Sequence, residues 1–240
     1  MTEYVSTELY SPVQRFDSQE DGVSDVTAGG LGPAGERGRG PWPRLVTVVG
    51  TGPVGLGWIA LFLGHGLRVR VHGDRVAARA AVLGGLDGFA ARLPAGTVDP
   101  LGALDRLEFE PEPAAAVRDA DVVVECLAEE LGAKRELFGR IAGWVGPRAL
   151  LLSSTGTFAP ESLAVEIPDG GTRLVVAHPS DPGFGEPLVE VGFGERTSMS
   201  AVIEAVVFLE SVRRVPVVSP GPVAGSVAEP VGRRRVARAG

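Results

Sequence analysis

Apolar residues along this chain fall into short runs cut apart by glycine and proline, with spacing that alternates between strand-like and helix-like. Leu45–Val49 (LVTVV) is an unbroken apolar run with the β-branched content of a buried strand. Gly50-Thr-Gly-Pro-Val-Gly55 stops it at once, a helix follows, and Val69–His72 reads as a second strand. Val76–Leu93 is rich in alanine and arginine and predicts a helix weakened by Gly84, Gly85 and Gly88. Arg106–Phe109 reads as a short strand and Ala120–Glu125 (ADVVVE) as a buried one. Glu130–Ile141 reads as an amphipathic helix with Leu131, Leu137, Phe138 and Ile141 on one side. Further strands are expected at Leu150–Ser153, Leu174–Ala177 and Leu188–Val191, then a helix over Met199–Val212 and a last strand at Pro216–Val218. Strands alternating with helices predict an α/β fold around a doubly wound, mostly parallel sheet.

The first strand, turn, helix and second strand make a βαβ unit whose turn reads GxGxxG. Gly50 lets the chain turn sharply, Gly52 removes a side chain where a pyrophosphate approaches the backbone, and Gly55 lets helix and strand pack closely. Pro53 and Val54 open the helix, whose first amides would face the phosphates with the positive end of the helix dipole. The unit is thus a candidate dinucleotide site in a Rossmann-like fold, where ligands bind at the carboxyl ends of the strands. The competing reading is a glycine-rich turn whose pocket has lost its ligand.

Composition narrows the classes further. The 240 residues have room for one large domain or one and a half. Residues 1–42 carry many Gly, Ser, Pro, Asp and Glu and read as a disordered tail and linker; the dinucleotide-binding domain is expected over 43–219. Residues 220–240 end in a basic stretch and read as a disordered, solvated tail. The net charge of −7 argues against nucleic acid as the main partner. No apolar run approaches the roughly 18 residues that span a bilayer, and the N-terminus lacks a signal pattern, so a cytoplasmic location is expected. One cysteine, Cys126, excludes an internal disulfide and a cysteine-cluster metal site; no metal is expected.

Four phrases stand in order along the body: GTGPVG, ADVVVECLAEELGAKRELF, LLSSTGTF and VVAHPSDPGFGEPLVEV. Over roughly residues 44–225 they resemble the NAD-binding domain of the 3-hydroxyacyl-CoA dehydrogenases. The SST and AHP…PLVE wording looks most similar to the branch containing L-gulonate 3-dehydrogenase (lambda-crystallin) and carnitine dehydrogenase. The resemblance implies a catalytic pair at His178 and Glu190, twelve residues apart. It also implies contacts from Glu129 and Lys134, the chain's only lysine, to the nicotinamide end of the cofactor. A neutral imidazole suits removal of a hydroxyl proton while hydride leaves the same carbon; a carboxylate behind the ring would fix its tautomer and stabilise the imidazolium. A plain structural role for Lys134, on an exposed helix face with Glu130 at i−4, stays open. His65 is expected to cap the first helix, Cys126 to fill core space and Glu125 to hold nearby loops through backbone amides.

Four departures from the resembled pattern matter. The acid that binds the adenosine ribose falls on Gly73, so Asp74 serves only after a one-residue shift; alternatively Gly73 and Arg75 admit the 2′-phosphate of NADP. Gly156 replaces a serine that touches substrate, leaving Thr155 or Thr157 to supply the hydroxyl. Asp181 replaces an asparagine and would set a negative charge beside the reacting carbonyl unless protonated or turned away. The resembled enzymes continue into an all-helical C-terminal domain, which is expected to be absent here; a second copy or a partner protein is expected over the apolar face it leaves.

The expected activity is that of an NAD(P)-dependent oxidoreductase. Its substrate would be a 3-hydroxy acid or a 3-hydroxyacyl thioester, with His178 and Glu190 as acid–base pair. A CoA ester is disfavoured by the lack of lysine in the 76–97 region, although Arg79 and Arg92 offer phosphate grips. The alternative is a catalytically impaired nucleotide-binding paralogue acting as a sensor or partner subunit.

Overall fold

The computed structural model describes residue 43 and residues 45–90 and 103–223; the expectations for residues 1–42, Arg92 and 224–240 fall outside them. The first half supplies β1 (Leu45–Val49), α1 (Pro53–Gly64), β2 (Arg68–His72), α2 (Arg75–Ala90), β3 (Leu107–Glu110), α3 (Pro113–Val117) and β4 (Val122–Glu125). The second half supplies α4 (Leu131–Ile141), β5 (Leu150–Ser153), α5 (Pro160–Leu163), β6 (Leu174–Pro179), β7 (Leu188–Phe193), α6 (Met199–Ser211) and β8 (Val215–Pro220). The strands join one sheet in the order β3-β2-β1-β4-β5-β6-β7-β8, a Rossmann-like arrangement that reverses direction of winding between β1 and β4.

Strands β1 to β6 run parallel. Strands β1, β4 and β5 are buried at every residue, because helices cover both faces of the centre; that is why they read as unbroken apolar runs. Strand β2 alternates instead, with Val69 and Val71 buried and Arg68 exposed. β7 pairs antiparallel with β6 because only residues 180–187 join them, too few for a parallel crossover. Helix α6 then returns the chain, so β8 lies parallel to β7.

Alternate side chains of the central strands feed two cores. Val122, Val124, Leu150 and Leu152 meet α1 and α6 on one face, around Trp58, Phe62 and Phe208. Val123 and Leu151 meet Phe138, Ile141 and Leu163 on the other. The folded body runs past residue 219: the β8 strand ends at Pro220, and the Val223 side chain is buried in the second core. Met199, Ile203 and Val207 line an exposed stripe of α6, and Val215, Val217 and Val218 are exposed on the edge strand β8. No helix among the described residues is long and apolar enough to cross a membrane.

Candidate nucleotide and acid–base site

The carboxyl ends of four central strands share one edge. Val49 pairs with Glu125, Glu125 with Ser153, and Ser153 with Val176, two residues before His178. Every sequence-predicted site residue lies on a strand end or loop at this edge, or on a helix that begins there; Asp74 follows β2, whose last residue, His72, pairs with Val49.

At the end of β1 the chain turns through Gly50, whose φ of +108° favours glycine and whose missing Cβ would strike the Cys126 carbonyl. Gly55 sits against the Gly50 carbonyl, so helix and turn approach as the sequence predicts. Gly52 is the helix N-cap, with an ordinary φ of −70°, and a Cβ there meets nothing within 4 Å. Pro53 follows at the start of α1, no side chain caps the helix, and no acidic residue occupies its first turn. Its first amides, at the positive end of the helix dipole, are thus left without a side-chain cap. Asp74 sits beyond β2 and its Oδ1 accepts the amides of Val76 (3.1 Å) and Ala77 (2.8 Å), capping α2.

The segment after β4 holds a buried charge cluster. Lys134 lies on the inward stripe of α4 beside Phe138 and Ile141, 1% exposed, while Leu131 and Leu137 are only half-buried. The exposed-face reading of Lys134 fails on this burial. Its ammonium donates to Glu125 Oε1 (2.7 Å), the Leu127 carbonyl (3.2 Å) and Glu129 Oε2 (3.1 Å), which uses all three donors. Glu125, wholly buried, also accepts from the Leu127 amide and the Ser153 hydroxyl at 2.6 Å each. The expectation that it braces the following loop is met, with a buried lysine added. Glu129 remains half-exposed and takes the Thr155 hydroxyl and the Gly156 amide. Burial raises the Glu129 carboxyl, but the Thr155 hydrogen bond and the Lys134 charge outweigh it and hold the group below its usual value. Thr155 is fully buried; its hydroxyl donates to Glu129 and accepts the amides of Thr157 and Phe158, leaving nothing for a substrate. Thr157 is exposed and is the better placed of the two threonines.

His178 and Glu190 are direct cross-strand partners in β6 and β7. Twelve residues of separation are thus a hairpin register, with Cβ atoms roughly 5 Å apart. The ring's hydrogen bond, however, goes from Nδ1 to the Ser154 carbonyl at 3.2 Å, and Glu190 Oε2 is buried with no hydrogen-bond partner. The carboxylate stands beside the imidazole without holding its Nδ1. Ser154 is itself held by the Trp58 indole, whose Nε1 donates to Ser154 Oγ at 2.9 Å. Cys126 Sγ lies 3.5 Å from the same hydroxyl; burial pushes its thiol up to about 12, so it stays protonated and unreactive at neutral pH.

Asp181 lies just past the end of β6. Its carboxylate accepts the amides of Gly183 (2.7 Å) and Gly185 (2.8 Å) and shapes the 180–187 connection. That loop drives Phe184, at a φ of +59°, into the core against Trp58 and over Gly57, where any Cβ would strike the ring. The Gly183 and Gly185 amides stabilise the charge that the sequence would set beside a developing alkoxide. His65 ends α1 as expected, its Nδ1 donating to the Leu61 carbonyl at 2.8 Å.

The sequence profile of the NAD-binding domain of 3-hydroxyacyl-CoA dehydrogenase matches residues 45–221. The chain belongs to the 3-hydroxyacyl-CoA dehydrogenase family, through its NAD-binding domain. Within the family it is 33% identical to an L-carnitine dehydrogenase from Bacillus cereus, over 78% of this chain and 57% of that one. It is 34% identical to an L-carnitine dehydrogenase from Pseudomonas aeruginosa, over 78% of this chain and 58% of that one. The crystal structure of 3-hydroxybutyryl-CoA dehydrogenase from Escherichia coli K12 superposes with a TM-score of 0.67 at 27% identity, covering 74% of this chain and 38% of that one. The chain therefore spans under three-fifths of the curated relatives it matches.

Residues of the family's nucleotide domain fit NAD here on their own geometry. Gly52 leaves open the volume a Cβ would take, and the first turn of α1 offers amides without a competing carboxylate. Trp58, Ser154 and Phe184 were invisible as site residues in the sequence, because an apolar helix and an SST phrase give no sign of which side chains meet. That His178 and Glu190 belong together came from the resemblance; their antiparallel register appears only in the sheet.

Proposed function

We propose that this chain binds NAD at the Gly50–Gly55 turn and uses His178 as acid–base group in oxidising a small 3-hydroxy acid or its acyl thioester. The observation that carries the reading is the placing of the glycine turn and His178 on one carboxyl edge of the sheet, with Glu190 in register beside the imidazole. NAD, when bound, supplies the acceptor for the hydride that leaves the substrate carbon. His178 takes the hydroxyl proton from the same centre and returns it in the reducing direction. Glu190 stands in register beside it across the β6–β7 pair. Glu129, half-exposed and braced from beneath by Lys134, supplies an acceptor at the nicotinamide end; Lys134 acts by holding Glu129. Asp74, one residue past the position that would face the adenosine ribose, is the nearest acid to it in sequence, and NAD is favoured over NADP on that ground. Free acids are favoured over CoA esters by the L-carnitine dehydrogenase relatives.

The test is turnover of 3-hydroxy acids, L-carnitine first, with NAD and with NADP. His178→Ala is expected to lose about 10²–10⁴-fold in kcat. Equal rates for the two proteins would overturn the reading.

A second reading has its own support: the Thr155 hydroxyl is saturated and Gly156 carries no hydroxyl. Under it, the chain is a nucleotide-binding paralogue serving as sensor or partner subunit. Saturable NAD binding with no turnover would decide for that reading.

A further inference from the structure

We infer that Trp58, Ser154 and Gly156 are positioning residues that set which nitrogen of His178 carries its proton. The His178 Nδ1 faces the Ser154 carbonyl at 3.2 Å. A carbonyl only accepts, so Nδ1 is the protonated nitrogen and Nε2 keeps the lone pair a base needs. The other neighbour suited to that task, Glu190, stands in register across the β6–β7 pair but leaves its buried Oε2 without a partner. The tautomer is therefore written by backbone, not by the carboxylate.

Two features hold that contact in place. Gly156 clears the space: a Cβ there would lie 2.7 Å from His178 Cε1 and about 3 Å from both ring nitrogens, so any larger residue displaces the ring. Trp58 fixes the carbonyl: its indole Nε1 donates to Ser154 Oγ at 2.9 Å, and the ring is wholly buried between Phe62 and Phe184. Trp58 lies in α1, the helix that opens at the glycine turn, so one rigid element reaches both the dinucleotide turn and the base. No part of this chain of contacts requires a bound ligand.

The proposal rests on His178 being the acid–base group, and two separate measurements keep the two claims apart. The first is long-range 1H–15N correlation of the histidine rings in the full chain at neutral pH, with His178 assigned by His178→Gln. Wild type is expected to show the Nδ1–H tautomer. Gly156→Ala, Ser154→Ala and Trp58→Phe are each expected to raise the Nε2–H fraction. Trp58→Phe keeps the aromatic stacking and removes only the donor. If Trp58→Phe does not fold, Ser154→Ala breaks the same bond from the other side. The second measurement is steady-state kinetics. Trp58→Phe and Ser154→Ala are expected to lose on the order of tenfold in kcat with KM for the dinucleotide unchanged, and the double variant no more than either single one. An Nε2–H tautomer in wild type, or tautomer populations indifferent to all three substitutions, overturns the positioning claim. A wild-type Nδ1–H tautomer without turnover leaves it standing and overturns only the enzymatic reading.

Discussion

Lys134 carries more of the local structure than its place in an amphipathic helix suggests. One ammonium, 1% exposed, faces two carboxylates, and one of those, Glu125, is completely buried. Removing the lysine leaves a buried carboxylate without its counter-charge, a loss of about 3–5 kcal/mol by analogy with other broken buried pairs. We expect Lys134→Met to lower the urea midpoint accordingly, and Lys134→Met with Glu125→Gln to recover much of the loss, because the uncompensated charge goes too. A midpoint unchanged in the single variant would show the pair to be dispensable. Sequence reasoning placed Glu129 and Lys134 together but assigned the ammonium to a ligand, since nothing in a lone lysine reveals that its three donors are used inside the protein. His65 offers a pH-dependent counterpart. Burial holds its imidazole below 6.5, opposed by the bond to Leu61 and reinforced by the charges of Arg214 and Arg213. The unfolded chain thus binds the proton more readily. Its share of stability is complete above pH 6.5 and is lost as pH falls from there toward the depressed folded value. Melting followed from about pH 7.5 down to about 5.5 is expected to show this slope in wild type and a flatter one in His65→Gln.

The connection between β6 and β7 ties two elements that the chain order keeps far apart. Phe184, 2% exposed, lies edge-on to Trp58 with ring centroids 4.9 Å apart and rests on Gly57 of α1. Phe184→Ala opens a cavity beside α1 and is expected to cost about 3–5 kcal/mol. Gly57→Ala fails for the opposite reason: the added methyl overlaps the aromatic ring, and overpacking costs about 1–3 kcal/mol. Because the two substitutions share one space, the double variant should lose less than the sum, and strict additivity in guanidinium melts would refute the shared contact. The strands and the longer helices were readable from apolar runs and periodicity, to within a residue or two at most ends. The short helices α3 and α5 were not, being five and four residues long and thus barely one turn of pattern. The glycine of GLGW read as helix composition, although its reason for being glycine lies in a phenylalanine 127 positions away. Contacts of that range leave no local signature.

At the scale of the whole molecule, binding and folding are linked, and the linkage tests the nucleotide reading without any substrate. The eight-stranded sheet brings the turn after β1 to the crevice where strand order reverses, so occupying that crevice stabilises the folded chain only if the cradle is formed. A ligand held at 100 times its dissociation constant adds about 2.7 kcal/mol, which for a body of this size raises the melting temperature by roughly 5–10 °C. NAD is expected to produce that shift in wild type and none in Gly52→Asp. The variant is informative because its fold has no reason to suffer. Position 52 is the N-cap of α1 at an ordinary φ, its Cβ enters open space, and aspartate is among the best capping residues. Its unliganded melting temperature should therefore match or exceed that of wild type, while its carboxylate repels the phosphates the amides would hold. A wild-type chain that melts at one temperature with and without saturating NAD or NADP would mean that the glycine turn is a packing device alone. The imidazole at the end of β6 would then have no hydride chemistry to serve.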